Sequence, residues 1–283
     1  MGKRKAIRSS SSNNLIASSS RISSRSSSAL IGAIQIRPTP GDVTRNISRH
    51  LELIKLAVKH GCGVVMFPEL SLTGYEPKLA NDLAFSGPKD PGLDVFIDLS
   101  RTLKVVVIVG APIRCSTGAG VQIGAFLYHP DGSCEIYCKQ HLHDDELPYF
   151  VSGNEQVILD CGSGERAALA ICYESLLEHH SKYAYERGAR LYLASVAKPQ
   201  RGVNRAFEHY PEISCRFKMP VVMSNSIGVC DDFVSAGCSA AWGASGELLG
   251  SMDDQSEGVI VLDTSSMTAR IFCIDDEING MRE

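Results

Sequence analysis

"ALAICYESLLEHH", residues 168–180, is the stretch on which the reading of the fold turns. Small and apolar residues run without polar alternation up to Cys172, as in a strand buried on both faces. Tyr173 and Glu174 follow, and then a helix-like segment with His179 and His180. A strand–turn–helix of this kind belongs to an α/β protein and puts Cys172 at the carboxyl end of a strand, where such folds hold their ligands. The thiol is then a buried core group, a metal ligand or a nucleophile, and the remainder of the chain has to decide among these.

Upstream, "ALIGAIQI" (29–36) and "GVVMFPE" (63–69) read as buried strands on either side of the helical "GDVTRNISRHLELIKLAVKHG" (41–61). In that helix Ile47, Leu51, Ile54 and Val58 recur at three- and four-residue spacing, Asp42 can cap the start and Gly61 can close the end. "DVFIDLSRTL" (94–103) predicts a helix and "KVVVIVGAP" (104–112) a strand. "VQIGAFLYHPDGSCEIYCK" (121–139) predicts a hairpin about Pro130-Asp131-Gly132. Downstream, "HHSKYAYERG" (179–188) predicts a helix, and "ARLYLASVA" (189–197) and "PVVMSNSIGV" (220–229) predict strands. "SAGCSAAWGASGELLG" (235–250) predicts a second hairpin, and "GVIVLD" (258–263) the last clear strand. Helices alternating with buried strands, plus hairpins, give an α/β class with mixed sheets.

The chain has 283 residues, 44% hydrophobic, with a formal net charge of −4. That suffices for one well-buried domain, placed here at residues 29–283. The acidic balance gives no electrostatic case for nucleic acid, and no apolar run reaches membrane-spanning length, so a soluble protein is expected. The 10 cysteines are scattered through apolar runs without metal or redox spacing, which predicts free thiols in a reducing compartment. Residues 1–28, "MGKRKAIRSSSSNNLIASSSRISSRSSS", are serine-rich and basic and contain no acid. Such a segment cannot build a core and is expected to be disordered. It has transit-peptide composition, and a cloning or gene-model extension fits equally. The compartment is accordingly cytoplasmic, or organellar if this segment is a targeting signal.

Three strand ends carry reactive groups: Glu69 after "VVMFP", Lys139 after "EIYC" and Cys172 after "ALAI". A charged group at the end of an apolar strand has to be paired or open into a cleft. Together the three are chemically complete. A carboxylate can take the thiol proton, and an ammonium can stabilise a thiolate or the oxyanion of a tetrahedral intermediate. Taken singly, each has a plainer reading: a buried thiol for Cys172, a structural ion pair for Glu69 and for Lys139.

In these same segments the chain resembles the nitrilase, or carbon–nitrogen hydrolase, superfamily. "GVVMFPELSLTGYEP" (63–77) looks like its glutamate block. "YCKQHLHDDELPYFVSG" (137–153) looks like its lysine block, with Leu142, Glu146, Phe150 and Gly153 at the family's spacings. "ALAICYES" looks like its nucleophile block, and "SNSIGV" with the hairpin after it resembles a late strand and hairpin. The order Glu, Lys, Cys is the family's, and the likeness runs from Ala29 to Asp263.

The resemblance implies a four-layer α-β-β-α sandwich, a homodimer or higher homo-oligomer, and cofactor-free, metal-free chemistry on a small-molecule amide. It implies Cys172 as nucleophile forming a thioester and Glu69 as general base. Lys139 would hold the oxyanion with the backbone N–H of Tyr173, and Glu146 would be the second glutamate that positions Lys139 and the substrate. For Glu146 a solvated turn beside Asp144 and Asp145 is the alternative. Tyr75 and Lys198 are substrate-contact candidates; packing for Tyr75 and solvation for Lys198 are their alternatives. Where many amidases continue with Tyr-Asp, this chain has Tyr173-Glu174, which leaves the catalytic set intact and the substrate open. The implied reaction is hydrolysis of a small linear amide, with nitrile or N-carbamoyl substrates as alternatives within the superfamily and a catalytically silent scaffold as an alternative outside it.

Two rival sites are weighed against this one. Pairing Cys172 with His179 or His180 would span about two helical turns, roughly 10 Å, too far for a hydrogen bond. A metal held by His141, His143, His179 and His180 fits the composition, but no H-E-x-x-H signature supports it.

Overall fold

The computed structural model describes residues 29–162 and 164–274. The serine-rich segment 1–28 and the end of the proposed domain, residues 275–283, lie outside the described residues. In chain order the first half contains β1 (Leu30–Gln35), α1 (Val43–Lys59), β2 (Val64–Met66), α2 (Ala80–Leu83), α3 (Asp94–Leu103), β3 (Val106–Arg114), β4 (Val121–Tyr128) and β5 (Cys134–Cys138). The second half contains β6 (Ile158–Asp160), β7 (Arg166–Ile171), α4 (Glu178–Glu186), β8 (Leu191–Val196), α5 (Gln200–Phe217), β9 (Val221–Asn225), β10 (Ile227–Cys230), β11 (Phe233–Ala236), β12 (Ala240–Trp242), β13 (Leu248–Ser251), β14 (Gly258–Asp263) and β15 (Thr268–Cys273).

Two sheets form. One runs β15-β14-β1-β2-β3-β4-β5, the other β13-β12-β9-β8-β7-β6, and β10 pairs with β11 as a separate ribbon. Side-chain alternation explains why the sheets stack with helices outside them. From β1, β2, β3, β7 and β8, residues such as Ile31, Val64, Ile108, Leu169 and Leu193 enter one core between the sheets. Their neighbours Val65 and Val107 meet α1 and α3 in a second core. Ala168, Ala170, Tyr192 and Ala194 meet α4 and α5 in a third. Three cores separate four layers, and the α-β-β-α sandwich is the result.

Each of the two sheets contains a parallel block. β1, β2 and β3 run together in one sheet, and β7, β8 and β9 in the other. Ser195 Oγ donates to the Phe67 carbonyl at 2.8 Å, Ser224 Oγ donates to that of Ile34, and Ile36 bridges to Ser226. These bonds fasten the carboxyl ends of the two parallel blocks to each other.

Several elements differ from the sequence reading. "PVVMSNSIGV" is not one strand: it breaks at Ser226 into β9 and β10. β6, β11 and β15 carry too many half-exposed residues to give an apolar run. α5 is the longest helix described, yet Pro199 supplies no side-chain cap, Pro211 lies inside it, and its buried stripe uses Ala206, Tyr210 and Ser214 as well as Val203 and Ile213. In α1, Asp42 caps as expected, accepting from Arg45 N at 3.0 Å; Ile54 of the expected stripe is fully buried, Ile47, Leu51 and Val58 are half-buried against the same core, and Asn46, His50, Leu53 and Ala57 complete the inward face. Among the described residues no helix is long and apolar enough to cross a membrane.

Candidate active site

Glu69 lies three residues past the end of β2. Phe67 N continues the sheet to Ile108 O at 2.9 Å, and Pro68 then starts a turn closed by Ser71 N on Pro68 O, with Leu70 left-handed at φ +52°. The turn rests directly on β3, because a Cβ on Gly110 would come within 2.3 Å of Pro68 O. His50 secures it from the helix side. Its ring stacks on Phe67 with centroids 4.0 Å apart, Nδ1 donates to Asn46 O and Nε2 accepts from Ser71 Oγ at 2.9 Å. Burial lowers this imidazole to a pKa of about 3, so it is a neutral strut.

Lys139 is the residue after β5. Its N–H donates to Ile123 O, and its carbonyl accepts from Gly153 N at 2.7 Å. Gly153 is required there, since a Cβ would meet Cys138 O at 2.2 Å. The Lys139 ammonium is fully buried between two carboxylates, 2.8 Å from Glu69 Oε1 and 2.6 Å from Glu146 Oε1. Glu146 is buried rather than solvated: its Oε1 also accepts from Tyr75 OH at 2.9 Å, and its Oε2 accepts from His143 N at 2.8 Å. Burial alone would lower the Lys139 ammonium, but Glu69 and Glu146 outweigh it and hold the pKa above its ordinary value. Burial raises the Glu69 carboxyl, with Lys139 opposing and Glu146 reinforcing. The Cys172 thiol lies close enough to favour the charged form of Glu69. Glu69 Oε2 is buried and has no hydrogen-bond partner among the described residues.

Cys172 is the first residue past β7 and opens a short 3-10 turn, Cys172–Leu176. It is a free thiol in left-handed backbone at φ +48°, a conformation that costs a non-glycine residue of order 1–3 kcal/mol. Ser175 Oγ donates to its carbonyl, and the Ser175 hydroxyl also meets Tyr210 OH at 2.6 Å. Burial, and then the charge of Glu69, push the thiol pKa up to about 11; Lys198 and Lys139 oppose the shift without reversing it. The resting group is therefore a thiol, not the ammonium-stabilised thiolate that the sequence allowed.

Glu174 is the residue that the sequence reading left without a role. Fully buried beneath the turn, it accepts from Ile171 N at 2.7 Å, Gln140 N at 2.8 Å, His141 N at 3.3 Å and the Tyr137 hydroxyl. Burial raises its pKa to about 7 despite these donors. His180 sits behind it, bonded to Tyr137 OH at 3.1 Å and Tyr192 OH at 2.7 Å. The only sequence signal for Glu174 was its departure from the usual Tyr-Asp.

The remaining candidates fall as follows. Tyr75 both packs, edge-on to Phe233, and bonds Glu146. Tyr173 is half-buried with its ring edge-on to His143. Lys198 is not solvated: only 4% of its surface is exposed, and its ammonium lies 3.8 Å from Cys172 Sγ. Asn225, a second residue that the sequence left unassigned, fixes Lys198 by accepting from its N–H at 2.8 Å. Among the described residues Cys172 has no histidine as a hydrogen-bond partner. His141 and His179 face each other with Nε2 atoms 3.1 Å apart, while His143 pairs with Asp145. Among the described residues no three His, Cys, Asp or Glu side chains are grouped to hold a metal. An open surface concavity of about 580 Å³ lined by Arg37, Arg45, Arg49 and Glu257 shares no residue with this site.

Residues 30–270 match the model of the family described as Carbon-nitrogen hydrolase. A probable nitrilase of Schizosaccharomyces pombe is 22% identical over 82% of this chain and 87% of its own length. The glutamine-dependent NAD(+) synthetase of Thermotoga maritima is 26% identical over 81% of this chain, which spans only 41% of that protein. The solved NitN amidase of Nesterenkonia sp. AN1 superposes with a TM-score of 0.75 at 22% identity, covering 83% of this chain and 92% of the amidase. A variant of that amidase, with covalent addition of the acetamide moiety of fluoroacetamide at its active-site cysteine, superposes equally well, at 21% identity over 86% of this chain and 94% of its own. The family match spans both parallel strand blocks and all three strand ends that carry Glu69, Lys139 and Cys172: the chain belongs to the carbon–nitrogen hydrolase family.

Proposed function

We propose that this chain hydrolyses the carbon–nitrogen bond of a small linear amide through a thioester on Cys172. The observation that carries the reading is the buried Lys139 ammonium clamped between Glu69 and Glu146, with the second oxygen of Glu69 unpartnered and the Cys172 thiol nearby. Glu69 removes the thiol proton as sulfur attacks the amide carbonyl carbon. The raised pKa values of both groups suit a proton transfer concerted with attack rather than a preformed thiolate. The developing oxyanion is held by Lys139 and the backbone N–H of Tyr173. Glu69 returns the proton to the leaving nitrogen, the C–N bond breaks, and ammonia or an amine departs. Water, deprotonated by Glu69, then attacks the thioester and releases the carboxylic acid and the thiol. Glu146, fixed by Tyr75 and the His143 N–H, keeps the lysine aimed.

Intact-protein mass spectrometry during turnover of a panel of small amides, ω-amides, carbamoyl amines and nitriles tests this, with Cys172→Ala as control. A mass gain equal to the acyl group, with ammonia released, is expected from an amide and absent from Cys172→Ala. Adducts and turnover confined to nitriles would replace the amidase reading with a nitrilase one. No adduct and no ammonia from any compound would leave either a substrate outside the panel or a chain that has kept these residues and lost the activity.

A further inference from the structure

We propose that the acyl part of the substrate carries a carboxylate, and that Lys198 is the residue that selects it. The inference rests on the amidase reading and narrows it to short amides with a free acid group.

The backbone of Lys198 is held by four hydrogen bonds, one of them from Ser235 Oγ to its carbonyl at 3.3 Å. Its N–H donates to Asn225 Oδ1 at 2.8 Å, and its carbonyl accepts from Asn225 Nδ2 at 3.2 Å and from Ala236 N at 2.9 Å. The side chain is therefore aimed from a rigid base, with 4% of the residue exposed. Its ammonium reaches two atoms of the nucleophile and nothing stronger: Cys172 O at 3.4 Å and Cys172 Sγ at 3.8 Å. No carboxylate stands within ion-pair distance among the described residues. The two carboxylates of the site, Glu69 and Glu146, both belong to Lys139.

An ammonium taken from water without a counter-charge is costly, and buried charges are as a rule paired. Cys172 does not supply the negative charge, because its thiol rests protonated. The missing anion therefore arrives with the substrate. Amide hydrolysis makes the position informative. When the carbonyl carbon stands against Sγ, a carboxylate a few bonds along the acyl chain falls within reach of an ammonium 3.8 Å from that sulfur. A neutral amide of the same length leaves the cation unpaired, and a buried polar group left without its partner is a strong basis for rejection.

The test compares kcat/KM for succinamate, which has a carboxylate, and butyramide, which has a methyl group in its place. Wild type, Lys198→Met and Lys198→Arg are each assayed by ammonia release. Wild type should prefer succinamate by about 10- to 100-fold, the scale of a hydrogen bond to a charged group. Lys198→Met should bring the ratio near one, mainly through a higher KM for succinamate, and Lys198→Arg should keep most of it. Equal use of both amides by wild type would overturn the proposal and leave the amidase reading standing. So would Lys198→Met lowering both substrates by the same factor, since the lysine would then serve the sulfur or the oxyanion. No ammonia and no acyl-enzyme from any amide would remove the amidase reading and this one with it.

Discussion

The carboxylate of Glu174 accepts the backbone N–H of Gln140 at 2.8 Å, and so ties the turn that carries Cys172 to the segment that carries Lys139. The same carboxylate accepts from Ile171 N, immediately before Cys172. One side chain thus sets the spacing between the Cys172 thiol and the Lys139 ammonium. Glu174→Gln places an amide NH₂ among backbone donors and strains at least one of these bonds. A kcat loss of about 10- to 100-fold is expected, with KM little changed, because small misplacements of reacting groups are costly. Single-turnover acylation should slow by the same factor; an unchanged acylation rate would count against this positioning role.

The same residue should shape stability against pH. Its folded pKa of about 7 lies above its ordinary 4.5, so Glu174 favours folding most below pH 4.5 and loses that contribution as pH rises through 7. His50 and His180 act in the opposite sense. Burial lowers both from 6.5 to about 3, so their contribution is complete above pH 6.5 and is lost as pH falls toward 3. Urea unfolding of wild type and Glu174→Gln at pH 5 and pH 8 separates the terms. The variant should be weaker at pH 5 and recover relative to wild type by a few kcal/mol at pH 8. A stability difference independent of pH would contradict the assignment.

Gly110→Ala tests the seat of Glu69. The new Cβ would lie 2.3 Å from Pro68 O and 2.6 Å from Leu70 N, both backbone atoms that cannot swing aside. Overpacking of this kind costs about 1–3 kcal/mol. Activity should fall further than stability does, because the turn that yields is the one that aims Glu69. Thermal unfolding together with acyl-enzyme formation rates would measure both effects.

Lys139→Met leaves Glu69 and Glu146 facing each other with no cation between them. Turnover should vanish, and stability should drop by about 3–5 kcal/mol near neutral pH, as when one partner of a buried ion pair is removed. The drop should shrink in acid as the Glu69 carboxyl, raised by burial, takes up a proton. Adding Glu146→Gln should restore part of the stability and none of the activity. Denaturation curves that fail to recover in the double variant would place the cost elsewhere.

The sequence by itself determined the strands buried on both faces, the α/β class, and the three strand-end groups Glu69, Lys139 and Cys172, because an apolar run ending in a charged or nucleophilic residue is a local signal. It also contained the family's ordered blocks. What only the tertiary structure decided depends on residues distant in the chain. Glu174 read only as a departure from Tyr-Asp, and Lys198 as a substrate contact or a solvated charge; only the meeting of Tyr137, Gln140 and Ile171 around Glu174, and of Asn225 and Ala236 around Lys198, buries them. The edge strands β6 and β15 and the proline-bearing α5 were illegible because neighbours, not their own periodicity, hold them in place. The protonation of Cys172 was undecidable for the same reason. A thiol's pKa reflects its surroundings, and here burial and the Glu69 carboxylate outweigh two lysines that come from other strands.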